Sequence, residues 1–77
     1  MYDDTVARRI RAYRKLKGLT QRELAERLGV SISIVGSIER GTRLPDQEIL
    51  SRLYHILDIS ESDLLESQPV EGENTSS

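Results

Sequence analysis

Two helix-start signals, each followed within ten residues by a glycine, constrain this chain more than any other feature. Thr20 stands three residues before Glu23, the spacing of a capping box. In that arrangement the hydroxyl and the carboxylate each satisfy a backbone N–H that the first helical turn leaves without a partner. Leu19 and Leu24 flank the box at the spacing of a hydrophobic staple. Leu24, Ala25 and Leu28 give this helix a short apolar face, and Gly29 suits the left-handed conformation that ends it. Ser31 then offers the N-cap of a further helix reaching about Arg40, stopped by Gly41. Signals compete inside that helix. Ser-Ile-Ser-Ile-Val alternates like a strand, and Gly36 costs a helix interior roughly 1 kcal/mol relative to alanine. Val35 and Ile38, three residues apart, restore a helical apolar face, and the flanking helices leave no strand partner.

The rest of the chain reads as helices around this pair. Val6, Ile10, Tyr13 and Leu16 recur at helical spacing and predict a helix over residues 5–17, with Asp3 and Asp4 at its positive end and Gly18 after it. Thr42–Pro45 reads as a loop. Asp46 caps a fourth helix through about Leu57, with Ile49, Leu50, Leu53 and Leu57 as its stripe. Ser60-Glu61-Ser62-Asp63 resembles another capped start and leads into Leu64 and Leu65. The fold class is therefore all-α, with one domain over residues 1–66. Residues 67–77 are polar, contain proline and glycine, and predict a mobile acidic tail.

A chain of 77 residues has room for one small core. It holds no cysteine, which excludes disulfides and thiolate metal sites. No apolar run approaches the roughly 20 residues of a membrane span, and no signal-peptide pattern opens the chain. A cytoplasmic protein is the expectation. The net charge of −2 conceals a division. Residues 1–45 carry ten arginines and lysines against five acids, whereas residues 46–77 carry Arg52 alone against eight. A polyanion-facing first half and an acidic far side follow. His55, the one histidine, has no cysteine beside it and reads as a helix-surface or partly packed residue. No organised carboxylate pair, phosphate loop or nucleophile elbow is present, so neither an enzyme nor a cofactor is expected.

The stretch from Gln21 to Arg40 describes a helix-turn-helix, in which the first helix braces the second. Val30, Val35 and Ile38 pack beneath, and one side of the second helix is left for the major groove, roughly 12 Å wide. RxxRKxKGLTQxELAxRLGVS, the later SIERG and the final DIS…DLL resemble the Cro/C1-type (XRE-like) family of helix-turn-helix regulators across residues 6–65. That resemblance implies a five-helix, lambda-repressor-like domain. It also implies a transcriptional regulator, usually a repressor, that binds double-stranded DNA as a homodimer on two half-sites about one turn apart.

The resemblance also places individual residues. It assigns Gln21, with Thr20, to a phosphate at the start of the second helix, where exposed N–H groups and the helix dipole favour anions. Ser31, Ile32, Ser33 and Ser37 match groove-facing positions, while Arg40, Thr42 and Arg43 match the backbone-contacting end of the helix and its loop. Arg14 and Glu39 match a structural ion pair. Where relatives place glutamine or arginine, Ile32 offers no bidentate hydrogen bonding, and its natural partner is a thymine methyl group. Gly36 either admits close backbone approach to DNA or is tolerated slack. Pro45 and Asp46 weaken the start of the fourth helix as a phosphate clamp. Tyr54, Ile56 and Ile59 pack in the core or form the apolar centre of a homodimer interface. The alternative function is a protein-interaction module on the same fold, such as an antitoxin; a restriction–modification controller is another regulator of this size.

Overall fold

The computed structural model describes residues 4–65; the polar tail expected from residue 67 lies outside them. Five helices follow in order: α1 (Asp4–Leu16), α2 (Gln21–Leu28), α3 (Ile32–Arg40), α4 (Gln47–Leu57) and α5 (Glu61–Leu65). No strand occurs among the described residues.

Local chemistry sets most of these boundaries. The capping box of α2 is complete, with the Glu23 amide donating to Thr20 Oγ1 at 3.0 Å and the Thr20 amide donating to Glu23 Oε1 at 2.8 Å. Gly29 closes the helix in the left-handed region at φ 77°. Ser31 caps α3 by accepting from the Ile34 amide at 3.2 Å, and Gly41 ends it at φ 80°. Asp46 caps α4 through the Ile49 amide at 2.9 Å. The short α5 has its own reciprocal box between Ser60 and Asp63, at 2.9 and 3.1 Å. A single arginine braces two helices: Arg52 Nη1 donates to the Leu28 carbonyl at the end of α2, and its Nη2 meets Glu48 on α4.

Each helix contributes to one core. Ile10 comes from α1; Leu24, Ala25 and Leu28 from α2; Val35 and Ile38 from α3; Leu53 and Leu57 from α4; and Leu64 from α5. The strand-like alternation of residues 31–35 is overridden because Val35 and Ile38 have this core to bury against, whereas α1, α2 and α4 offer no strand edge.

One core expectation fails. Leu16 is 79% exposed, while Ala7 and Arg14 are buried on α1. At roughly 100° per residue, Leu16 lies about 240° round the helix from Ile10, well off the buried stripe. Arg14, four residues after Ile10, occupies the place a hydrophobe would take.

Gly36 has no positive φ, so the backbone does not require glycine there. A Cβ would meet only the Arg40 side chain, whose Nη1 would lie 3.1 Å away. Because that end is exposed and flexible, Gly36→Ala is expected to stabilise the fold by about 0.5–1 kcal/mol. Urea denaturation followed by circular dichroism checks this; a lowered midpoint would contradict it.

Candidate nucleic-acid interface

The exposed side of α3 opposes Val35 and Ile38. Ser33 and Arg40 are exposed, Ile32 is 44% exposed, and Ser37 is half-buried. Most hydroxyls here already have work. Ser31 Oγ is committed to its cap. Ser37 Oγ donates to the Ser33 carbonyl at 3.0 Å, and Thr42 Oγ1 donates to the Ser37 carbonyl at 3.1 Å. These hydroxyls retain acceptor capacity but encode little base preference. Arg43 is exposed on the loop after α3, close in sequence to the helix end.

Between the N-terminus of α2 and the face of α3 lies an open concavity of about 830 Å³, lined by residues that include Arg11, Thr20, Gln21, Arg22, Ile32 and Arg40. Thr20 and Gln21 bring the positive end of a helix to its edge, and the arginines add full charges. Arg11 and Arg22 were not singled out from the sequence. Arg22 carried a usable signal, since it sits in the first turn of α2 beside Gln21. Arg11 is one turn before Arg14 on α1, and only the packing of α1 on α3 brings it here.

Beneath this concavity the Arg14–Glu39 pair is buried. Arg14 Nε and Nη2 donate to the two carboxylate oxygens of Glu39 at 2.7 and 3.1 Å, and Nη1 donates to the Leu19 carbonyl at 2.8 Å. Gln21 Nε2 donates to Glu39 Oε1 at 3.1 Å. The network ties α1, the turn before α2, the first residue of α2 and the end of α3. It also turns one face of the Gln21 amide inward, leaving that side chain half-buried.

Gly36 has a neighbour that neither sequence reading anticipated. The space above it is occupied by the Arg40 guanidinium. Tyr54, Ile56 and Ile59 are each half-buried and pack on the core. Burial, and after it the Glu61 carboxylate, raises the Tyr54 phenol above its ordinary pKa. Tyr54 and Ile56 are roughly 200° apart on α4, flanking the Leu53–Leu57 stripe on opposite sides. Ile56 borders a hollow of about 410 Å³ with Arg27 and His55.

Residues 10–64 match the helix-turn-helix family. The chain is 54% identical over 57 residues to YazB of Bacillus subtilis, an uncharacterized HTH-type transcriptional regulator, spanning 74% of this chain and 83% of that protein. It is 39% identical to the HTH-type transcriptional regulator SinR of B. subtilis, covering 82% of this chain but 58% of SinR. SinR solved in complex with DNA superposes with a TM-score of 0.72 at 41% identity, covering 78% of this chain and 97% of that one. The SinR–SinI complex gives 0.75 at 37%, over 94% of this chain and 68% of that one. The DNA-binding domain of the P22 c2 repressor gives 0.76 at 33%, over 82% and 83%.

Removing one member of the buried pair leaves the other charge uncompensated. Glu39→Ala is therefore expected to cost about 3–5 kcal/mol, whereas the joint replacement Arg14→Met with Glu39→Leu recovers most of that. Denaturant titrations of the three proteins check the prediction; equal losses in the single and double variants would contradict it.

Proposed function

The chain belongs to the helix-turn-helix family of DNA-binding transcriptional regulators, and we propose that it represses transcription as a homodimer that lays α3 in the major groove at each half-site. The observation that carries the reading is the exposed face of α3 beside the arginine-lined concavity at the start of α2. A duplex placed against α3 brings one phosphate strand to Thr20, Gln21, Arg11 and Arg22, and the other flank to Thr42 and Arg43. The phosphates supply most of the affinity, with Arg40 joining Thr42 and Arg43 at the end of α3, while Ser31, Ile32, Ser33 and Ser37 meet the groove. Ile32 contacts a thymine methyl group. Tyr54 and Ile59 lie at the dimerising end of the domain, with Ile56 at its margin. The protein acts where the DNA is, in the cytoplasm. Among the described residues no helix is long and apolar enough to cross a membrane.

Similarity to the DNA-binding domain of the P22 c2 repressor supports repression as the outcome. A second reading, a protein partner docked on the same fold, is favoured by likeness to SinR, which has been solved with the SinI protein. The two readings coexist if partner binding controls DNA binding.

Selection of bound sequences from random duplexes tests the main reading. An inverted repeat with centres about one helical turn apart is expected; enrichment of no sequence would reject it. On the recovered site, Arg43→Ala should weaken binding to all sequences alike and reduce the salt slope by about one. An unchanged slope, measured between 50 and 200 mM salt, would remove Arg43 from the phosphate contacts.

A further inference from the structure

Gly36 lies in the middle of α3 with an ordinary helical backbone, where glycine weakens a helix without relieving any strain. What it provides is space, and Arg40 occupies that space. A Cβ built on Gly36 would stand 3.1 Å from Arg40 Nη1 and 4.0 Å from its Cζ. Helical side chains lean toward the N-terminus, so Arg40 reaches back over the residue four positions earlier. Its Nη2 comes within 3.5 Å of Ser37 Oγ, which is itself tied to the Ser33 carbonyl. The fork therefore rests about 6 Å back along the helix from its own Cα, between the Ile32–Gly36 row and the Ser33–Ser37 row.

We propose that Arg40, laid over Gly36, reads a guanine in the major groove instead of clamping a phosphate at the end of α3. The inference rests on α3 being the groove helix. Three observations favour base over backbone. The parked guanidinium points away from the Thr42–Arg43 loop, toward the half of the helix that enters the groove. Arg40 has no carboxylate partner among the described residues, and its Nη2 contact with Ser37 Oγ is long at 3.5 Å, so the fork is free to turn toward a ligand. Moreover, Ile32, Ser33 and Ser37 lack a bidentate donor, and Arg40 alone on this exposed face matches the O6 and N7 acceptors of guanine. A side chain as large as valine at position 36 would evict the guanidinium and abolish that reading.

The test measures binding to the selected duplex and to its single-base-pair variants. Wild type should prefer guanine at one fixed position in each half-site by roughly tenfold or more. Arg40→Ala should erase that preference while leaving the other positions unchanged. Arg40→Lys should erase it too, yet keep the salt slope, because the charge remains and the fork is lost. Gly36→Val should lose the same preference, and adding Arg40→Ala to it should cost nothing further at that base pair. Circular dichroism establishes that each variant is folded. A uniform loss by Arg40→Ala, with its consensus intact and its slope reduced by about one, would overturn the proposal and leave the DNA reading standing. Multiplying losses in the Gly36→Val/Arg40→Ala double would overturn the role of the glycine. A wild type that enriches no duplex would overturn both the proposal and the reading beneath it.

Discussion

Arg14 enters the interior from α1 with its charge intact, and taking a guanidinium out of water costs several kcal/mol unless its donors find partners. Here Nε, Nη1 and Nη2 all do, two of them on Glu39 and one on the Leu19 carbonyl. A hydrophobic pair of the same volume would hold the helices together at least as well. It would not fix the angle at which a carboxylate at the end of α3 faces the first residue of α2. That carboxylate also accepts from Gln21, so the same buried atoms that join three helices orient a side chain at the rim of the candidate DNA surface. Core and function meet at this pair, and the α2–α3 relation that shapes the concavity depends on it.

The consequence for recognition is a surface whose polar atoms are largely committed before DNA arrives. Ser31 caps, Ser37 bonds its own helix, Thr42 closes the turn after it, and Gln21 is partly turned inward. Small hydroxyls so engaged position a helix well but discriminate bases poorly. On the proposed reading, discrimination falls to groups with a shape of their own: the Ile32 side chain for a methyl group and the Arg40 fork for a purine edge. Affinity, on the same reading, falls to the basic residues of α1, α2 and the loop after α3. Asp46 and Asp58 at the caps of α4, with Glu61 and Asp63 in α5, make those parts of the surface unattractive to phosphate.

How much of this could be read in the sequence depends on whether the signal was local. Caps are local, so Thr20, Ser31, Asp46 and Ser60 announced four helix starts, and Gly18, Gly29 and Gly41 announced three ends. Apolar spacing named the core of α2, α3 and α4 for the same reason. It misled at Leu16, because hydrophobicity alone cannot tell that a buried arginine with a distant partner takes the last seat on the stripe. Arg14 and Glu39 are separated by 25 residues, and no short-range pattern joins them. The resemblance to a known family paired them. Arg11 was missed at the candidate site because its place there exists only once α1 packs on α3. Tyr54 and Ile56 looked like one apolar cluster in the linear sequence, but the turn of α4 sets them on opposite flanks.

Gly36 shows how α3 reconciles stability with its surface. Glycine in mid-helix costs about 1 kcal/mol. A serine N-cap contributes about the same amount, and Ser31 provides one at the start of the same helix. Gly41 adds a left-handed end at which the Gly41 and Thr42 amides satisfy carbonyls of the last turn. The helix is therefore specified at its termini and by Val35 and Ile38 beneath, which frees its outer middle from any structural duty. Only such a helix can leave a position bare at its centre and let an arginine lie across it. The strand-like, glycine-containing sequence that makes α3 look weak in isolation is the same sequence that gives its outer face room for a guanidinium.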